Sequence, residues 1–200
     1  MNTWILPAFS GAVAALLLRS LLKLIGKYWS SRKPIVEYDC ATDVSSPEAV
    51  GIWHGRGERV ADDRTQSGFA WMHSSRKIRE LWHTIYGPYV NDLGRPGYMR
   101  VRFRISGAGF DESRTGVIVL DVNQILHDDP PRHITLGQRV VCARDLKREY
   151  QWFDVICYTS GVGVYEYRAH VMESVFDDKR HRLLFDVVRV FRHFPAWELL

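Results

Sequence analysis

The chain has 200 residues, a net charge of +4, and 46% apolar and 12% aromatic side chains. That is material for one folded domain and a short appendage, and it excludes a disordered chain. The three cysteines form no C-x-x-C pair, which excludes a disulfide scaffold and a zinc knuckle.

The N-terminal segment comes first. Met1 to Leu18 holds no charged side chain, and Trp4 to Ile25 is broken only by Arg19 and Lys23. As a helix that run is about 33 Å long, against a hydrocarbon core of about 30 Å. Trp4 and Tyr28-Trp29 bracket it as interfacial aromatics. The spacing predicts a transmembrane α-helix with a basic flank over residues 1–29, a linker over 30–34, and a body over 35–200. An amphipathic helix lying on an anionic membrane surface is the alternative.

Charge divides along the same line. Residues 1–33 carry Arg19, Lys23, Lys27, Arg32 and Lys33 and no acid, which leaves 22 basic against 23 acidic residues in the rest. The basicity belongs to the anchor, so nucleic acid is not expected as a partner. The same asymmetry predicts a single-pass protein with its body on the cytoplasmic side.

The body switches to period two. Met99, Val101, Phe103 and Ile105 alternate with Arg100, Arg102 and Arg104, one face buried and one solvated. The arginine row reads as a solvated strand face, with a phosphate or acidic partner as the alternative. Gly116 to Val122 reads as a central strand. Gln151–Tyr158 and Val162–Met172 flank Thr159-Ser160-Gly161 and read as a hairpin. His181–Arg192 is a last long strand, and Ser75–Tyr86 fits helix or strand. The expected fold is mainly β, an antiparallel β-sandwich.

Several segments, in order, resemble carbohydrate-binding modules of the galactose-binding-like jelly-roll type. They are Ile35-Val36-Glu37-Tyr38-Asp39; Gly57 to Asp63 followed by Ser67-Gly68-Phe69-Ala70-Trp71; Gly87-Pro88-Tyr89 followed by Pro96 to Phe103; Tyr150 to Val155 with Tyr165 to Arg168; and Leu183 to Val190. The resemblance covers about residues 35–194 and departs at Thr65-Gln66. It implies a jelly roll that binds a glycan without catalysis. It also implies a structural Ca²⁺ between the first and last strands.

Candidate sites follow. Asp186 shares a strand face with Leu184, Val188 and Val190, and a buried carboxylate needs a cation or several donors. Glu37 and Asp39 lie on one face of the opening strand, so Glu37, Asp39 and Asp186 are the candidate calcium ligands. An arginine or tyrosine hydroxyl on Asp186 is the alternative. For sugar recognition, Trp71, Trp82 and Tyr89 supply aromatic faces, and His73 and Asn123 supply polar groups near turns. No G-x-S-x-G, H-E-x-x-H or Walker loop occurs, so no enzyme is expected. The reading is a membrane-anchored glycan-binding module that touches membrane lipid and a membrane-protein partner. The alternatives are a structural accessory subunit of a membrane complex and a membrane effector with a ligand-sensing barrel.

Overall fold

The computed structural model describes residues 5–30, 32–42, 52–74, 83–91, 96–126, 131–161 and 163–193. Helix α1 runs over Ile5–Ser30. Its Leu16, Leu17, Leu18, Leu21, Leu22 and Ile25 are all exposed, and none of the described α1 side chains belongs to the core of the body. Among the described residues no helix is long and apolar enough to cross a membrane. The described residues therefore do not support the expected transmembrane span, part of which, residues 1–4, lies outside them. The described side chains of α1 include Arg19 and Lys23, which interrupt its apolar surface.

The body consists of β1 (Val36–Asp39), β2 (Trp53–His54), β3 (Glu58–Ala61), β4 (Phe69–Met72), β5 (Ile85–Tyr86), β6 (Pro88–Asn91), β7 (Gly97–Ala108), β8 (Gly116–Leu126), β9 (Arg132–Cys142), β10 (Gln151–Thr159), β11 (Val164–Val171) and β12 (Arg182–Arg192). They form two antiparallel sheets. The first runs β10-β7-β12-β4-β3 with β1 also on β12, and the second runs β2-β5-β11-β8-β9 with β6 also on β11. Pairing is nested: β8 with β11 lies inside β7 with β12. A chain that passes between two sheets in this way is wound as a jelly roll.

Period-two alternation decides which faces meet. Met99, Val101, Phe103 and Ile105 of β7 and Leu183, Phe185, Val188 and Val190 of β12 are buried in the core. The second sheet meets them with Ile118, Leu120 and Val122 of β8 and Tyr165, Tyr167 and Ala169 of β11.

Two sequence expectations change. The segments flanking Thr159-Ser160-Gly161 do not form a hairpin, because β10 pairs with β7 in the first sheet and β11 with β8 in the second. The turn is a crossover, held by the Thr159 hydroxyl, which accepts from Gly161 N–H at 3.0 Å and donates to the Tyr165 hydroxyl. Both flanking segments bury one face, and local alternation cannot tell a hairpin from a crossover. The second change is on β12. The register slips between Phe185 and Val187, leaving Asp186 opposite no partner. This bulge breaks the expected shared face: Val188 and Val190 join the core, while Leu184 and Asp186 do not.

Candidate functional site

The outward face of the second sheet gathers a row of chemistry-bearing side chains. Tyr165, Tyr167 and Ala169 of β11 point inward, so Glu166, Arg168 and His170 share the opposite face. Arg168 donates to both Asp121 oxygens from Nε and Nη2, each at 2.8 Å. Its Nη1 lies 3.7 Å from the Glu166 carboxylate. Asn123 Nδ2 donates to Asp121 at 2.8 Å and Asn123 Oδ1 accepts from the Thr135 hydroxyl at 2.8 Å. Asn123 is 1% exposed, so it orients Asp121 from behind instead of facing solvent.

Aromatic rings border this row. Trp53 of β2 lies 6.4 Å, edge-on, from Tyr89 of β6, and Tyr86 of β5 lies 6.3 Å from Trp53 and 6.4 Å from Tyr89. Trp53 is 38% and Tyr89 39% exposed, although both are embedded in a ring cluster. The Tyr89 hydroxyl donates to Glu166, joining rings to row. Burial, and then the Glu166 charge, raises the Tyr89 pKa. Burial raises that of Glu166 as well, against the opposing pull of Arg168. Gly87 makes the cluster possible. Its φ is +91°, and an added Cβ would stand 2.8 Å from Trp53 Cδ1. Tyr89 itself holds φ +59°, the left-handed region that non-glycine residues rarely occupy.

His83 extends the group. Its ring lies 6.2 Å from Tyr86 and 6.0 Å from His170. Burial, and then the Arg168 charge, lowers its pKa to about 4, so the ring is neutral at pH 7.

The sequence-predicted residues are dispersed. Tyr89 and Asn123 belong to this face. Trp71 is turned to the other side of β2: it stacks on His54 at 3.8 Å with 12° between planes, and its indole N–H donates to the Arg56 carbonyl at 3.3 Å. His73 is 3% exposed. Its Nδ1 meets the Thr84 hydroxyl at 2.9 Å, and it packs edge-on against Phe176 at 4.5 Å. Trp82 lies outside the described residues. Sequence reasoning missed Trp53, Tyr86, Asp121, Glu166 and Arg168. The signal for the last two was Val164-Tyr165-Glu166-Tyr167-Arg168-Ala169-His170, where three ionisable residues alternate with apolar ones.

Glu37, Asp39 and Asp186 do line one cavity, of about 290 Å³, with Gln66, Ser67 and Val187. Each already has a partner. Arg104 donates to Asp186, Arg189 donates to Glu37, and the Ala41 N–H donates to Asp39 at 2.7 Å. Among the described residues no group of three or more His, Cys, Asp or Glu is placed to hold a metal ion. The donor set does not fit calcium, because two guanidinium groups occupy the carboxylates that would bind it.

No protein-family model matches the chain. No curated protein matches it either. Among solved structures, a carbohydrate-binding module from a Cellvibrio mixtus lichenase, solved with cellotriose, is 10% identical, with a TM-score of 0.44 over 81% of this chain and 100% of that one. A xylan-binding domain from Paenibacillus barcinonensis is 8% identical, with a TM-score of 0.47 over 82% and 97%. A Bacillus thuringiensis insecticidal crystal protein is 10% identical, with a TM-score of 0.43 over 79% of this chain and 22% of its own. At these values the likeness assigns neither a family nor a ligand to this chain.

Proposed function

We propose that the chain is a membrane-associated, non-catalytic glycan-binding module whose ligand lies across Trp53 and Tyr89 on the outward face of the second sheet. One observation carries this reading: two exposed rings stand beside a fixed polar row of Arg168 and Asp121, with the buried Glu166 tying the Tyr89 hydroxyl to that row. A sugar ring presents C–H groups that stack on aromatic surfaces and hydroxyls that pair with planar polar side chains. The row is ordered by its own hydrogen bonds, so little reorganisation is lost when hydroxyls arrive. Membrane association rests on α1, whose Val13, Leu16, Leu17, Leu18, Leu21, Leu22 and Ile25 are exposed and outside the core. With Arg19, Lys23 and Lys27 following the apolar run, the body stays on the cytoplasmic side.

The test is a glycan array probed with the full chain, followed by calorimetry on each hit. Trp53→Ala and Tyr89→Ala each weaken a hit about tenfold, worth about 1.4 kcal/mol, with the thermal midpoint of each variant checked alongside. No binding to any glycan sinks the reading. Protease protection in oriented vesicles tests the side of the membrane.

The exposed apolar surface of α1 also favours a second reading, an accessory subunit whose helix packs on the helices of a membrane-protein partner. Its mark is a defined partner that co-purifies with the full chain and is lost when residues 1–30 are removed.

A further inference from the structure

The outward residues of β7 run Arg100, Arg102, Arg104, Ser106, Ala108. The arginines are occupied: Arg102 donates to Asp154 at 2.7 Å, Arg104 pairs with Asp186, and Arg100 lies 5.0 Å over the Phe191 ring. Beyond Arg104 the side chains shrink to Ser106 and Ala108, and the sheet surface drops. Across the pairing, Arg182 stands opposite Ala108 and Leu184 opposite Ser106. The segment that enters β10 forms the rim. It is tied down by Gly107 N–H to the Lys147 carbonyl at 2.7 Å and by the Ser106 hydroxyl to the Arg148 carbonyl at 2.7 Å. Arg64 arrives from the β3–β4 turn and donates to the same Arg148 carbonyl at 2.9 Å.

The result is a cavity of about 300 Å³ lined by Arg64, Ser106, Ala108, Arg148, Arg182 and Leu184. Three arginines line it and, among the described residues, no Asp or Glu does. Glu149 and Asp63, neighbours of Arg148 and Arg64 in sequence, are not in the lining. Arg64 is neutralised by Asp62, which accepts from its Nε at 2.8 Å and its Nη2 at 2.6 Å. Only the backbone carbonyl of Arg148 is engaged, and neither the Arg148 nor the Arg182 guanidinium has a partner among the described residues. Two exposed arginines without a carboxylate partner among the described residues thus line one concave space. Like charges held together repel, and an anion between them removes that repulsion and satisfies both forks.

We propose that this cavity is a binding site for a tetrahedral oxyanion, a phosphate or sulfate group, clasped between Arg148 and Arg182. The Ser106 hydroxyl spends its proton on the Arg148 carbonyl, so it shapes the site while the guanidinium groups hold the anion. The free volume leaves room for part of the molecule that carries the group. The site lies on the first sheet, away from the Trp53–Tyr89 face, and does not depend on it.

Calorimetric titration of the full chain with inorganic phosphate and with sulfate, at an ionic strength matched with chloride, tests the site. Glucose 6-phosphate and glucose 6-sulfate form the second arm. The expected result is saturable one-site binding with a Kd of about 1 mM or tighter. The double variant Arg148→Gln, Arg182→Gln weakens it about tenfold or more. The double variant Lys179→Gln, Arg180→Gln makes the same charge change outside the cavity and leaves binding within about twofold. Tighter binding of the sugar-borne group identifies a carried anion, and equal binding a free one. Absence of saturable binding by all four anions overturns the site, as does undiminished binding by a double variant with an unaltered unfolding transition.

Discussion

Arg104 of β7 donates a hydrogen bond to Asp186, the residue that β12 bulges out of its register. Asp186 is 1% exposed and also accepts from the Gln66 N–H. Burial raises its pKa, and Arg104 is the main opposing influence. We propose that Arg104 supplies the charge a cation would otherwise bring. Arg104→Met leaves a buried carboxylate unpaired and costs about 3 kcal/mol in urea unfolding, and adding Asp186→Asn restores part of it. A calcium chelator leaves the thermal midpoint unchanged, and a drop on chelation would show a metal that the arginines do not replace.

Stability falls in mild acid because of two histidines. Burial lowers the pKa of His73 and of His83 to about 4. An unfolded histidine titrates near 6.5, so below that pH the unfolded chain binds protons that the folded one refuses. Stability is complete above pH 6.5, declines as pH falls, and the loss levels off near pH 4. At about 1.4 kcal/mol per pKa unit, His73 alone withdraws about 3 kcal/mol over that window. Urea midpoints between pH 7.5 and 4.5 measure it, and His73→Gln flattens the decline.

Gly87→Ala separates binding from folding. The added methyl group meets the Trp53 ring at 2.8 Å and must displace it. Trp53 is on the surface, so the ring can give way; glycan affinity drops about tenfold while stability falls by about 1 kcal/mol. Unchanged affinity would remove Trp53 from the site.

Gly109→Ala is the opposite case. Its φ is +85°, and a Cβ there would stand 1.9 Å from the Arg180 carbonyl oxygen. Backbone cannot swing aside as a side chain does, so the cost is about 3 kcal/mol or more, read as a shift in denaturant midpoint with unchanged slope.

Removal of residues 1–33 leaves the body folded, since none of the described α1 side chains enters its core. Thermal unfolding of the truncated chain stays cooperative with a midpoint within about 3 °C of the full chain. Flotation with anionic vesicles retains the full chain and loses the truncated one. Equal flotation of both would place membrane contact on the body.

Local periodicity in the sequence determined much of this protein. The alternation from Met99 to Ile105 marked a strand with one buried face, the uncharged run to Leu18 marked a helix, and both are present. Such patterns are written in neighbours two or four residues apart, and they survive without knowledge of the partner strand. Tertiary structure decided which faces meet. Trp53, Tyr89, Asp121 and Glu166 come from four different strands and converge only because β5, β6 and β8 all pair with β11 and β2 joins them through β5. Trp71 and His73 looked equally suitable in sequence, but their position against His54 and Phe176 turns them inward. The bulge at Asp186 was hidden for the same reason: one extra residue in a strand alters no local composition, yet it moves every later side chain to the other face.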